Sequence, residues 1–271
     1  MAKHFSLLVN IMLLIPFLGF SQTDKHREAA MKLLEQGEVA KAKDKMDEAI
    51  RLSPELGDNH YVMGRVLMGL KDGTAALKKF ATADSLKLNT SDLFLYQGIA
   101  YYVTGDNTNA FKSFDKAEKL NDKDYFIPFN KALIFIELEQ LDEAMKNLNK
   151  SIDLKSDYAE AYLNRAIVNY EDEKFKNCII DCNKSIELKP RIADAYYYRA
   201  MSNGGIGKDN DAIVDFDKAV EINPNHDNAL NYRASAKYLS GNKKGACKDW
   251  AIAKDLGNDE AESNYTTYCE E

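Results

Sequence analysis

The sequence predicts an all-α protein, an α-solenoid of stacked antiparallel helix pairs closed by a C-terminal capping helix. Three observations carry this expectation. Small residues recur every 34 positions, at Ala42, Ala76, Ala110, Ala144, Cys178, Ala212 and Ala246, with no slip in register. Four residues on stand Met46, Phe80, Phe114, Leu148, Cys182, Phe216 and Trp250, a larger side chain in every unit but the fifth. Three further on comes a small one (Ala49, Ala83, Ala117, Ser151, Ser185, Ala219, Ala253), which together is one face of a helix. A second series, Ala30, Gly64, Gly98, Ala132, Ala166, Ala200 and Ala234, puts a small residue on an earlier helix of each unit, where two helix backbones approach closely.

Taken in chain order, residues 1–21 read as a secretory signal peptide. Lys3 precedes an apolar run from Phe5 to Phe20, and Gly19 and Ser21 stand at −3 and −1 of a cut before Gln22. A retained membrane anchor is the rival, but Asn10 and Pro16 interrupt the run, which falls short of the ~20 residues of a span. Export to the periplasm or the extracellular space is expected, with no membrane-spanning segment once the signal is removed. Seven units then start at 23, 57, 91, 125, 159, 193 and 227 and fill residues 22–258. Gly37, Gly105, Gly207 and Gly241 mark turns between the two helices of a unit, while Pro54, Pro190 and Pro224 close second helices. Pro128 falls in the first turn of a helix, where a missing N–H costs nothing. Residues 259–271 begin like an eighth first helix and stop, as a cap and tail covering the last apolar face would. Of the four cysteines, Cys178 and Cys182 lie one helical turn apart and are expected reduced and buried. Cys247 and Cys269, on helices that should touch, are expected to form a disulfide pinning the cap.

These residues resemble the tetratricopeptide repeat, a 34-residue helix pair with a small residue at position 8, Ala at 20, an aromatic at 24, Ala at 27 and Pro at 32. The resemblance covers residues 23–258 and implies a superhelical interaction scaffold whose inner face is lined by first-helix positions 2, 5, 6, 9, 12 and 13. On those positions stand Tyr61, Tyr96, Tyr102, Phe129, Tyr170, Tyr197, Tyr198, Tyr232 and Tyr238, the expected partner-binding groove. Part of this set is expected to be core between neighbouring repeats. Tyrosine suits recognition because a rigid ring ends in a polar tip. Glu137 and Glu171 add charge at the lip, and Gly204 and Gly205 either leave a gap in the lining or simply mark a helix C-terminus. The family's clamp for a C-terminal carboxylate, made of Lys, Asn and Arg, is not reproduced: positions 5 and 9 of the first three repeats read Arg27, Met31, Tyr61, Arg65, Leu95 and Ile99.

Chemistry is sparse. With 36 Lys and Arg against 43 Asp and Glu the net charge is −7, and no basic cluster offers a nucleic-acid surface. His26, His60 and His226 are scattered, with no metal-ligand spacing, phosphate loop or nucleophile motif, so no catalytic residue, metal or cofactor is expected. His26 and His60, at repeat position 4, read as packing residues. Asp24, Asp58, Asp92, Glu160 and Asp194, all at position 2, read as acids complementing helix N-termini. The repeats also act as internal replicates. Arg165, Arg199 and Arg233 at position 7 occur only where Asp181, Asp215 and Asp249 stand at position 23, which predicts an ion pair within each of the last three repeats. The functional expectation is a non-enzymatic binder of a protein or extended peptide, identity unspecified. The alternative is a structural component of an envelope assembly that uses its convex face or ends. No oligomeric state follows from the sequence.

Overall fold

The computed structural model describes residues 15–270, with the backbone alone for 15–21. The signal-peptide expectation therefore lies outside the described residues up to position 14, and α1 begins at Ile15. Fifteen α-helices are present among the described residues, without strands. They are α1 (Ile15–Glu35), α2 (Val39–Leu52), α3 (Gly57–Gly69), α4 (Gly73–Ser85), α5 (Ser91–Val103), α6 (Asn107–Leu120), α7 (Phe126–Glu137), α8 (Leu141–Leu154), α9 (Ala159–Glu171), α10 (Phe175–Leu188), α11 (Ala193–Gly205), α12 (Asp209–Ile222), α13 (Asp227–Leu239), α14 (Lys243–Asp255) and α15 (Asp259–Cys269). The short links fold consecutive helices back on each other, so α1 packs on α2, α3 on α4, α5 on α6, α9 on α10, α11 on α12 and α13 on α14. The chain divides into two compact units, one ending at Ile127 and the other starting at Pro128.

In the first unit Met46, Phe80 and Phe114 are fully buried, each framed by alanines of its own helix at the expected spacing. A Cβ added at Gly64 would sit 2.3 Å from the Phe80 ring, and one at Gly98 would sit 2.6 Å from Phe114. In these two repeats the missing side chain at position 8 leaves the room that the ring at position 24 fills. In the second unit Leu148, Cys182, Phe216 and Trp250 take the equivalent places, and the position-8 residues Ala132, Ala166, Ala200 and Ala234 are fully buried. The cap closes this core: Tyr265 and Cys269 of α15 pack against it.

All seven turns between paired helices share one backbone device. Gly37, Gly105, Gly207 and Gly241 adopt φ of 75° to 85°, and the equivalent residues of the other three repeats, Lys71, Glu139 and Glu173, adopt 53° to 61°. A left-handed residue just past a helix end lets the next amides reach back to the last carbonyls. Thus Lys174 N donates to Asn169 O at 2.8 Å and Lys208 N to Asn203 O at 2.8 Å. Asp24 departs from its expected place at a helix start, since α1 already runs through it, and its carboxylate instead accepts from Arg27 at 2.5 Å. Asp58, Asp92, Glu160 and Asp194 do lie in first turns.

Candidate functional site

The second unit carries a ladder of charged hydrogen bonds. Arg165 grips Asp181 with two bonds, of 2.6 and 3.0 Å; Arg199 grips Asp215 at 2.5 and 2.8 Å; Arg233 grips Asp249 at 2.7 and 2.8 Å. The three carboxylates are buried while the guanidiniums keep an edge in solvent. Hydrogen bonding to the carboxylate, working against burial, raises Arg165 and Arg199 above the ordinary arginine value. Each arginine also reaches one repeat back through Nη1, to Asn149 at 2.7 Å, Asn183 at 2.6 Å and Asp217 at 3.2 Å. From position 11 of the same repeats Asn169 (2.9 Å), Asn203 (3.5 Å) and Lys237 (2.7 Å) donate to the three carboxylates. Every arginine fork is thus committed, which makes the ladder a structural stitch.

On the first helices of the same unit lies a network of rings. Tyr170 meets Tyr198 at 5.6 Å between centroids, Tyr198 meets Tyr197 at 5.1 Å, and Tyr197 meets Tyr232 at 6.2 Å and His226 at 4.9 Å. All four tyrosines are half-buried. Burial pushes the Tyr198 hydroxyl up to about 12, with Glu171 and Asp194 adding to the shift. Burial likewise raises Tyr197, reinforced by its tyrosine neighbours and Asp227, and raises Tyr170 and Tyr232, reinforced by Glu171 and by Glu260 respectively. Asp194 lies 3.1 Å from His226 Nε2, and that contact holds its carboxyl below the usual range. His226 Nδ1 accepts from Ala229 N at 3.2 Å, so this histidine caps α13.

The other groove residues are placed differently. Phe129 is 7% exposed and packs on Tyr158 at 4.9 Å, so it is core. Tyr238 is half-buried and lies 4.7 Å from Tyr268 of the cap helix and 5.7 Å from Trp250, so it packs on the cap. In the first unit Tyr61 and Tyr96 meet at 6.1 Å, and the Arg65 guanidinium lies 4.6 Å above the Tyr96 ring. Tyr102 is half-buried on α5. The sequence reading did not single out Arg65 as the cation of this face, nor the ladder partners Asn149, Asn183, Asp217, Asn169, Asn203 and Lys237. For the last three the signal was present: position 11 is Leu33, Leu67, Tyr101 and Phe135 in the four repeats that lack the Arg and Asp pair.

Cys247 and Cys269 are joined in a disulfide across α14 and α15, with Cα atoms 5.7 Å apart. Cys178 and Cys182 are free, buried and 3.8 Å apart at sulfur, where contact with its partner and burial push the Cys182 thiol up. His60 is buried and its Nε2 donates to Pro54 O at 2.7 Å, tying the start of α3 to the preceding turn. Among the described residues no group of three or more His, Cys, Asp or Glu could hold a metal, and no helix is long and apolar enough to cross a membrane.

Comparison with known proteins agrees with this architecture. Residues 132–172 match a family model described as TPR repeat, and residues 193–226 one described as tetratricopeptide repeat. No curated protein matches in sequence. Among solved structures, the APC/C hetero-tetramer Cut9–Hcn1 superposes with a TM-score of 0.77 at 13% identity over 90% of this chain; this chain spans 49% of that one. A tetratricopeptide repeat protein from Parabacteroides merdae gives 0.66 at 18% identity, covering 91% of this chain and 98% of that one. YrrB, described as a TPR protein with an unusual peptide-binding site, gives 0.55 at 20% identity, covering 69% and 97%. The matched repeats, the 34-residue helix-pair register and the shared fold together make this chain an α-solenoid of tetratricopeptide type.

Proposed function

We propose that the chain is a non-enzymatic scaffold, exported to the periplasm or outer face of a bacterial envelope, that binds another protein or an extended peptide through the aromatic inner faces of its repeats. The observation that carries this reading is the network of Tyr170, Tyr197, Tyr198 and Tyr232, which spans three consecutive repeats yet stays half-exposed. A core made for packing alone would bury such rings, and half-exposed tyrosines are the side chains on which binding energy concentrates. The YrrB comparison, a likeness of fold, is compatible with a peptide-binding role for this architecture. The apolar run with a small-residue cut site in residues 1–21 supports export, and the Cys247–Cys269 bridge suits an oxidising compartment.

The alternative, a structural component that uses its convex face, draws support from Ile180 and Val214. They occupy one repeat position on successive second helices and are 64% and 68% exposed. Partner capture from the native envelope, followed by affinity measurement on the purified pair, separates the two. Tyr170→Ala with Tyr197→Ala is expected to weaken binding by about 2 kcal/mol or more while helicity stays intact. Unchanged affinity in that variant, with loss in Ile180→Ser and Val214→Ser, would transfer the function to the convex face.

A further inference from the structure

We infer that the tyrosine cluster of α9, α11 and α13 receives a cationic side chain, an arginine or lysine of the bound segment. This rests on the groove reading and names the chemistry the groove selects. Ring faces carry negative quadrupole potential and attract a desolvated guanidinium or ammonium. Here the four rings lie in one chain of contacts 5.1 to 6.2 Å apart, so one cation can meet more than one of them.

The surrounding charge has one sign. Glu171 and Asp194 act on the Tyr198 hydroxyl, Asp227 on Tyr197 and Glu260 on Tyr232. Glu171 and Glu260 are exposed and have no ion-pair partner among the described residues. Against them, the inner-face positions of the repeats starting at 159, 193 and 227 contain no lysine or arginine at all. His226, which contacts Tyr197, spends Nδ1 on Ala229 N and has the Asp194 carboxylate 3.1 Å from Nε2. Arg165 and Arg199 lie over Tyr162 and Tyr196, outside the cluster, with their forks spent on Asp181 and Asp215.

The first unit supplies the internal comparison. There the paired tyrosines already have a cation, since Arg65, at position 9, sits over Tyr96 and 5.9 Å from Tyr61. Position 9 of the three later repeats is Ile167, Met201 and Ser235, so the equivalent charge is missing from the chain. There is also room. Gly204 holds position 12 between the repeats that place Tyr170 and Tyr238 there, and a Cβ on it would meet nothing within 4 Å. A carboxylate ligand would meet repulsion from the same acids, so the site selects the opposite charge from a carboxylate clamp.

The test uses the whole chain and capped pentapeptides of sequence phenylalanine–leucine–X–leucine–phenylalanine, with X arginine, lysine, citrulline or glutamate, measured by calorimetry. Citrulline keeps the shape of arginine and removes its charge. The arginine and lysine peptides are expected to bind about tenfold or more tighter than the citrulline peptide, with the glutamate peptide weakest and the gap narrowing in high salt. Glu171→Gln with Glu260→Gln, both exposed changes that leave the core untouched, is expected to weaken the arginine peptide several-fold and leave the citrulline peptide unchanged. Gly204→Leu is expected to weaken both cationic peptides by filling the gap. Equal binding of arginine and citrulline peptides overturns the cation site and leaves the groove standing. Failure of all four peptides to bind overturns both.

Discussion

The ladder of the second unit makes a prediction whose size can be worked out repeat by repeat. Asp215 keeps 7% of its side chain exposed and is held by two bonds from Arg199; its remaining donor, Asn203 Nδ2, stands at 3.5 Å, the edge of a hydrogen bond. Arg199→Met therefore strands a buried carboxylate, at a cost of about 3–5 kcal/mol. Asp215→Asn costs less, about 1–2 kcal/mol, because Arg199 retains Asn183 at 2.6 Å, the Tyr196 ring at 5.3 Å and contact with water. The other two repeats calibrate the argument. After Arg165→Met, Asp181 keeps Asn169 at 2.9 Å, and after Arg233→Met, Asp249 keeps a full positive charge from Lys237 at 2.7 Å. The expected order of destabilisation is Arg199, then Arg165, then Arg233, with the last below about 2 kcal/mol. Urea unfolding of the three single variants, with a double-mutant cycle at Arg199 and Asp215, measures it. An Arg233→Met loss equal to or above that of Arg199→Met, or a coupling of zero in the cycle, would refute the reasoning.

Breaking the Cys247–Cys269 bridge by Cys247→Ser with Cys269→Ser is expected to cost about 2–4 kcal/mol, read as faster amide exchange in α15; free thiols at both positions in the wild type purified without reductant would count against the bridge. Glu173→Gly is expected to raise stability by about 0.5–1 kcal/mol because its φ of 53° strains a residue with a Cβ, while Gly207→Ala lowers it by about 1 kcal/mol; thermal melts of both decide, and a loss in Glu173→Gly would count against the strain. The folded Tyr198 is raised to about 12, so it keeps its proton where the unfolded chain has lost it. Stability from this group is full below the ordinary tyrosine value of about 10 and is lost as the pH rises through about 12. Near-ultraviolet titration should resolve this late tyrosine, and Tyr198→Phe should remove it.

Much of this was legible because seven repeats place the same question before the chain seven times. The positions of Ala76, Phe80 and Ala83 and their equivalents gave the helix register, and the paired appearance of Arg and Asp in the last three repeats pointed to contacts that lie 16 residues apart in sequence. Other features left weaker marks. Three of the seven left-handed turns are held by Lys71, Glu139 and Glu173, residue types that announce no turn, because the preceding helix imposes the cap geometry. Phe129 shares the repeat position of Tyr197 yet is buried against Tyr158, and Tyr238 shares that of Tyr170 yet packs on the cap helix. A position in a repeat fixes the direction of a side chain, and only the neighbour decides whether water reaches it.

The backward reach of Arg165, Arg199 and Arg233 governs how the second unit yields to force or to a protease. In a repeat array each unit is held by its own stability and by its contact with the next, and here the contact includes a charged bond to Asn149, Asn183 and Asp217. Peeling from the C-terminal end meets the disulfide between α14 and α15 first, then three rungs in succession. Single repeats cannot fray one at a time without each breaking a bond into its neighbour. The stitched stretch should therefore yield to exopeptidases and to pulling as one block, with Tyr170, Tyr197, Tyr198 and Tyr232 held in register on it.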